Sequence, residues 1–185
     1  MPAPFLKGDS RRRTQGLRRG FTLVEAALAT VIIGTGVLAI VFAQQTFHKQ
    51  NRWASKAATG MRLASEIREM TFNLPRHDPV TGTDAWGPEA NESGVVDYDD
   101  VDDFDGAVFS HDLGNGPLSS MRDAIQNMSG WSQRVEVWNV DPFDIHTPVD
   151  NGTTEMLRVD VIVEYQSQID LSPNEITRLS WVQAR

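Results

Sequence analysis

From Phe21 to Ala43 the chain reads FTLVEAALATVIIGTGVLAIVFA, an apolar run interrupted by a single charge, Glu25. A helix needs about 20 such residues to cross the hydrocarbon core of a bilayer, so this run is long enough to span. It leaves one problem: an isolated carboxylate inside a membrane costs roughly 2.5–3.5 kcal/mol on insertion scales, and a charge so placed ordinarily has a partner. Whatever this chain folds into must accommodate both the greasy stretch and the acid within it.

Charge is distributed unevenly around that segment. Residues 1–20 hold six basic side chains (Lys7, Arg11, Arg12, Arg13, Arg18 and Arg19) against Asp9, whereas the remainder holds 11 basic and 24 acidic residues. Basic residues on the N-terminal flank keep that end cytoplasmic and send the rest outward. From residue 71 onward six basic residues face 21 acidic ones, a field that repels phosphate backbones, so no nucleic-acid partner is expected. There are no cysteines, and an exported domain must therefore stand on packing and hydrogen bonds without disulfides.

Several export signals fit this arrangement in part. A secretory signal peptide matches the basic start, and Val41-Phe42-Ala43 resembles a small-residue cleavage site, but the apolar stretch is long for that purpose. A twin-arginine signal would need hydrophobic residues after Arg11-Arg12, where Arg13, Thr14 and Gln15 stand. A plain single-pass anchor accounts for the length and leaves Glu25 unexplained.

Arg18-Arg19-Gly20-Phe21-Thr22-Leu23-Val24-Glu25 resembles the class III signal of type IV pilins and type II secretion pseudopilins. In that family a basic leader ends in Gly, a membrane prepilin peptidase cuts after it, and the new N-terminal Phe is methylated. The resemblance implies cleavage between Gly20 and Phe21, N-methylation of Phe21, and a role in assembly for Glu25, whose carboxylate would neutralise the new α-amino group on the same or a neighbouring subunit. Such an ion pair costs about 3–5 kcal/mol to break by removing one member, which suits it to setting register. The leader, at 20 residues, is longer than those usual with a Phe N-terminus. The resemblance is specific over residues 18–43, where Val-Ile-Ile-Gly-Thr-Gly-Val-Leu-Ala looks nearest to minor pilins, with minor pseudopilins second.

Beyond Ala43 no proline occurs before Pro75, and Ala54, Ala57, Ala58, Met61, Ala64 and Ile67 recur at helical spacing. The pattern predicts one helix from Phe21 to Met70, with a membrane half over 21–43 and an amphipathic half over 44–72. Gly34 and Gly36 in the membrane half fit either close helix packing or, by resemblance, a stretch that loosens on assembly. Residues 73–185 form the head. Loop chemistry dominates to Leu118, and alternation then predicts strands at Arg134 to Val140, Leu157 to Tyr165 and Glu175 to Val182, connected as an antiparallel meander. A short helix is expected over 117–129. The expected fold is therefore α+β, a long N-terminal helix packed on a small antiparallel sheet, which is also the pilin plan.

Asp97-Tyr98-Asp99-Asp100-Val101-Asp102-Asp103-Phe104-Asp105-Gly106 places six aspartates within nine positions. Carboxylates so crowded repel one another unless water, basic groups or a hard cation intervenes. Two interpretations stay open: a solvated acidic loop with Val101 and Phe104 tucked inward, or a Ca²⁺ site drawing on Asp99, Asp100, Asp102, Asp103 and Asp105. EF-hand spacing is absent, because aligning Gly106 with the loop glycine puts Val101 at the first ligand. The stretch also resembles an Asp-rich loop of minor pilins of the mannose-sensitive haemagglutinin type. His48, His77, His111 and His146 lack metal-ligand spacing, and no nucleophile elbow, phosphate loop or zinc motif is present, so no enzyme is expected.

These features lead to an expected structural role: a minor pilin or pseudopilin, anchored in the inner membrane with its head in the periplasm and then built into a filament. Its partners would be prepilin peptidase, other pilin or pseudopilin subunits and inner-membrane lipid. The alternative is a membrane-tethered periplasmic binding protein that does not polymerise.

Overall fold

The computed structural model describes residues 20–80, 82 and 85–184; the basic leader residues before Gly20 lie outside that range. Helix α1 runs over Leu23–Thr71, 49 residues, close to the span expected from its lack of proline. Two compact units divide the chain, the first ending at His48 and the second beginning at Lys49.

In the first unit every described side chain is exposed, including Leu23, Val31, Ile32, Ile33, Ile40 and Phe42. A helix this apolar with no protein cover is long and greasy enough to cross a membrane.

The second unit packs the remainder of α1 on a five-stranded antiparallel sheet. Its strands are β1 (Val108–Ser110), β2 (Trp131–Asp141), β3 (Asp144–Pro148), β4 (Leu157–Tyr165) and β5 (Asn174–Gln183). The order is β1-β2-β4-β5, with β3 pairing the end of β2. β4 lies between β2 and β5 in register Val135↔Val161↔Leu179 and Val137↔Val159↔Trp181, which aligns the valines of β2 and β4 with the large apolar residues of β5 on one face. Asn151-Gly152 makes the reversal before β4, and Gly152 takes a positive φ of 75° there.

The helix covers that face with Leu63, Ala64, Ile67 and Met70, and Val101, Phe104, Phe109 and Leu118 complete the core. Each large side chain buried here contributes about 1.5–3 kcal/mol. The buried stripe differs from the one expected. Ala64 and Ile67 are inside, but Ala54, Ala58 and Met61 are exposed. Gly60 explains the rotation: a Cβ at this position would stand 2.9 Å from Thr177 Oγ1, so the helix meets β5 along its glycine. Gln133 crosses the core to tie three segments together. Its amide Nε2 donates to Leu63 O at 2.8 Å and Leu118 O at 3.1 Å, and its Oε1 accepts from Leu118 N at 2.6 Å.

The short helix expected over 117–129 does not form. Leu118 instead bridges Ala124 in antiparallel fashion, and Arg122 and Asn127 adopt φ of 66° and 62°, conformations outside a right-handed helix. The bonds from Gln133 to Leu118 hold that backbone extended.

The opposite face of the sheet is ionic. Arg134 pairs with Glu136 and Glu164, Arg178 with Glu136 and Glu175, and Arg158 with Asp160. Ile162 lies fully buried between Arg134 and Arg178 in the register, consistent with cover by the aliphatic stems of those arginines.

Candidate functional site

Two places concentrate chemistry: the start of α1 and the acidic loop.

At the first, Gly20 and Phe21 are exposed and precede the helix. Thr22 caps it. Its Oγ1 accepts the Glu25 N–H at 3.2 Å, and the Glu25 carboxylate accepts the Thr22 N–H at 3.5 Å. This reciprocal arrangement is a capping box, which satisfies two of the donors a helix leaves open and sets an acid at the positive end of its dipole. The Thr22-x-x-Glu25 spacing was available in the sequence as a signal for it. Glu25 is thus tied to the backbone one residue beyond Phe21, and any amine formed on Phe21 arises next to that carboxylate.

At the second, the loop turns inward. A 3-10 turn over Asp102–Phe104 drives Phe104 and Val101 into the core. Phe104 sits edge-on to Tyr98 and Phe109, at ring separations of 5.1 and 6.4 Å. Because the aspartates alternate with these anchors they are pulled in too: Asp100, Asp102 and Asp103 are 2 %, 2 % and 1 % exposed. Of the two interpretations, the solvated loop holds only for Asp97, Asp99 and Asp105, which are exposed, while Val101 and Phe104 are inward as anticipated.

The six aspartates are sorted by partner. Asp97 accepts from Ser93 N and Oγ and stays exposed, with its carboxyl held below the usual range by those bonds. Asp105 leaves the cluster, bonding Val137 N at 2.9 Å and Trp86 Nε1 at 3.0 Å. Asp102 faces His77, with Oδ2 3.2 Å from Nδ1, although without hydrogen-bond alignment. Asp103 Oδ2 accepts from Asp99 N and Asp100 N at 2.9 and 3.1 Å, and Asp100 Oδ1 accepts from Asp103 N at 3.2 Å.

Asp99, Asp100 and Asp103 therefore converge, with oxygens within 4.8 Å of one another. Glu89 and Glu92 converge on Asp103 from the preceding loop at the same spacing. Neither glutamate was singled out in the sequence, since they stand 14 and 11 positions before Asp103 and only folding brings them together. Burial first, then the proximity of Asp102 and Asp103, raises the Asp100 carboxyl to about 8. Burial likewise raises Asp102 and lifts Glu92 to about 7. His77, buried against Trp86 at a ring separation of 5.7 Å, is pushed down by desolvation. Among the described residues, Asp99, Asp100, Asp103 and Glu92 form no ion pair with a basic side chain. Arg122 comes close, but its guanidinium donates to the carbonyls of Val95 and Val96 at 2.7 and 3.0 Å.

Compared with known proteins, the chain matches no family model, no curated protein and no solved structure.

Proposed function

We propose that this chain is a membrane-anchored structural subunit of a type IV pilin-like filament, processed between Gly20 and Phe21 and methylated on Phe21. The observation that carries the proposal is the Gly20-Phe21-Thr22-x-x-Glu25 sequence at the entrance to a helix whose first unit has no protein cover. A helix bare on every side needs lipid or other helices around it, and a filament built by lateral helix packing supplies the second when the subunit leaves the first. On the outer half of α1, Ala54, Ala58 and Met61 remain exposed beside the buried stripe, and the two alanines leave room for close approach by another helix. The role is that of a minor pilin or pseudopilin with a periplasmic head, and its partners are prepilin peptidase, sister subunits and inner-membrane lipid.

Intact mass and N-terminal peptide analysis of the chain from native membranes tests this. An N-terminus at Phe21 carrying one added methyl supports processing, whereas an intact leader or a start after Ala43 removes the proposal.

One feature favours a second reading, a tethered binding protein that never polymerises. An open cleft of about 710 Å³ lies among Arg68, Phe72, Leu74, Pro75, Trp181 and Gln183, within the size range of small-molecule sites. Glu25→Ala separates the two. It abolishes filament incorporation for a pilin-like subunit and only eases membrane insertion for a tethered binder.

A further inference from the structure

We propose that Asp103, with the carboxylates that converge on it in two groups, Glu89 and Glu92 in one and Asp99 and Asp100 in the other, holds a hard divalent cation of the calcium type. The proposal is independent of the filament reading, since it concerns the head alone. It also differs from the set suggested by the sequence: Asp105 is taken by Trp86 and Val137, Asp102 faces His77 and lies outside both groups although its Oδ1 is also without a partner, and Glu89 and Glu92 enter.

Asp103 is the centre. It belongs to both groups of converging carboxylates, and its side chain is almost wholly buried. One of its oxygens, Oδ2, is taken by two backbone amides, but the other, Oδ1, is buried with no hydrogen-bond partner. A buried carboxylate oxygen without a donor is costly, and native proteins rarely leave one so unless an ion or water completes it. Charge points to the ion: each group brings three carboxylates together, that of Asp103 among them, and calcium takes about six to eight oxygen ligands with carboxylates prominent among them. Magnesium, at about 2.0–2.1 Å and strictly octahedral, fits a looser, carboxylate-rich set less well.

Among the described residues, no basic side chain forms an ion pair with Asp99, Asp100, Asp103 or Glu92. Arg122 is committed to the carbonyls of Val95 and Val96, and His77 stands on the Asp102 side of the loop. Entry is open, because Asp99 is exposed and Glu89 and Glu92 are half-buried, so an ion reaches Asp103 from solvent without disturbing the core. A bound cation would link the segment around Glu89 to the 3-10 turn that seats Phe104.

The test uses the full chain in detergent, stripped with EDTA and titrated with CaCl₂ at pH 7.5 under constant ionic strength. One calcium per chain by calorimetry is expected, with Tm raised by about 10 °C once calcium exceeds its Kd roughly 100-fold. Glu92→Gln lies at the rim and should weaken calcium binding at least about 10-fold, with each chain's Tm rise read against its own Tm in EDTA. Asp103→Asn probes the centre, and because it can unfold the loop, Glu92→Gln carries the decision. An unchanged Tm up to about 10 mM calcium overturns the proposal. So does an equal rise with added sodium chloride, or a Glu92→Gln chain that responds as the parent does.

Discussion

The head buries charge in two places, and they solve the same problem differently. On the outer face of the sheet Arg134, Arg158 and Arg178 alternate with Glu136, Asp160, Glu164 and Glu175, so each carboxylate has a guanidinium within 4 Å. In the loop before β1 the buried carboxylates Asp100, Asp102 and Asp103 meet one another. Strand register explains the first: Asp160 opposes Glu136 and Glu164 opposes Glu175, and Arg134, Arg158 and Arg178, set diagonally or two to three residues along the strand, supply the opposite charge to each. The second has no such lattice, and its acids are inside because Val101 and Phe104 are. Burial of acids is thus a by-product of hydrophobic anchoring in the loop and an ionic network on the sheet, so the two should respond to pH, salt and mutation in opposite ways.

The largest expected effect comes from removing the charge in the loop. With Asp100 held up to about 8 by burial and by facing Asp102 and Asp103, the folded chain retains a proton that the unfolded chain sheds near pH 4. That contribution is full below pH 4 and is lost as pH rises through 8. In EDTA, stability should therefore fall between pH 5 and 8, and Asp100→Asn should flatten the fall and leave the head roughly 3–4 kcal/mol more stable than the parent at pH 8, as read by urea unfolding. A parent chain whose stability rises over that interval would break the comparison.

The sheet face should behave in the reverse sense. Asp160→Ala leaves Arg158, whose side chain is only 17 % exposed, without its partner and should cost about 2–3 kcal/mol in the same unfolding experiment. Arg134→Ala removes links to Glu136 and Glu164 and part of the cover over Ile162, and should cost about 1–2 kcal/mol, less at high salt. At the small end, Arg62→Ala severs only an exposed helical pair with Glu66 at 3.6 Å, and a change above about 0.5 kcal/mol would mean that Arg62 does more than the geometry gives it.

How much of this was legible depends on whether the information is local. The helix, expected over Phe21 to Met70, runs over Leu23–Thr71, because freedom from proline and an apolar core are read residue by residue. β4 has the bounds expected from its Leu157-to-Tyr165 alternation, and β2 and β5 extend theirs by a few residues. β1 and β3 were not foreseen. Three residues are too few for a period even though Phe109 of β1 is buried, and β3 is exposed throughout and ends in Pro148, so it carries no buried face to betray it. The helix expected over 117–129 failed for a related reason: Gln133, distant in sequence, claims the backbone of Leu118. In the acidic loop the concentration of charge was evident, but its burial and the arrival of Glu89 and Glu92 depend on contacts that no local pattern encodes.

Gln133 has a mechanical consequence as well. Its side chain is the point at which the helix, the sheet and the Leu118 segment share hydrogen bonds, and it stands in the interior where water cannot replace them. A pull along α1 cannot slide the helix over the sheet without first leaving that amide unsatisfied in an apolar surrounding. Shear on the helix is accordingly handed to β2 at one residue, and a chain carrying Leu there would keep its core volume while losing its brake.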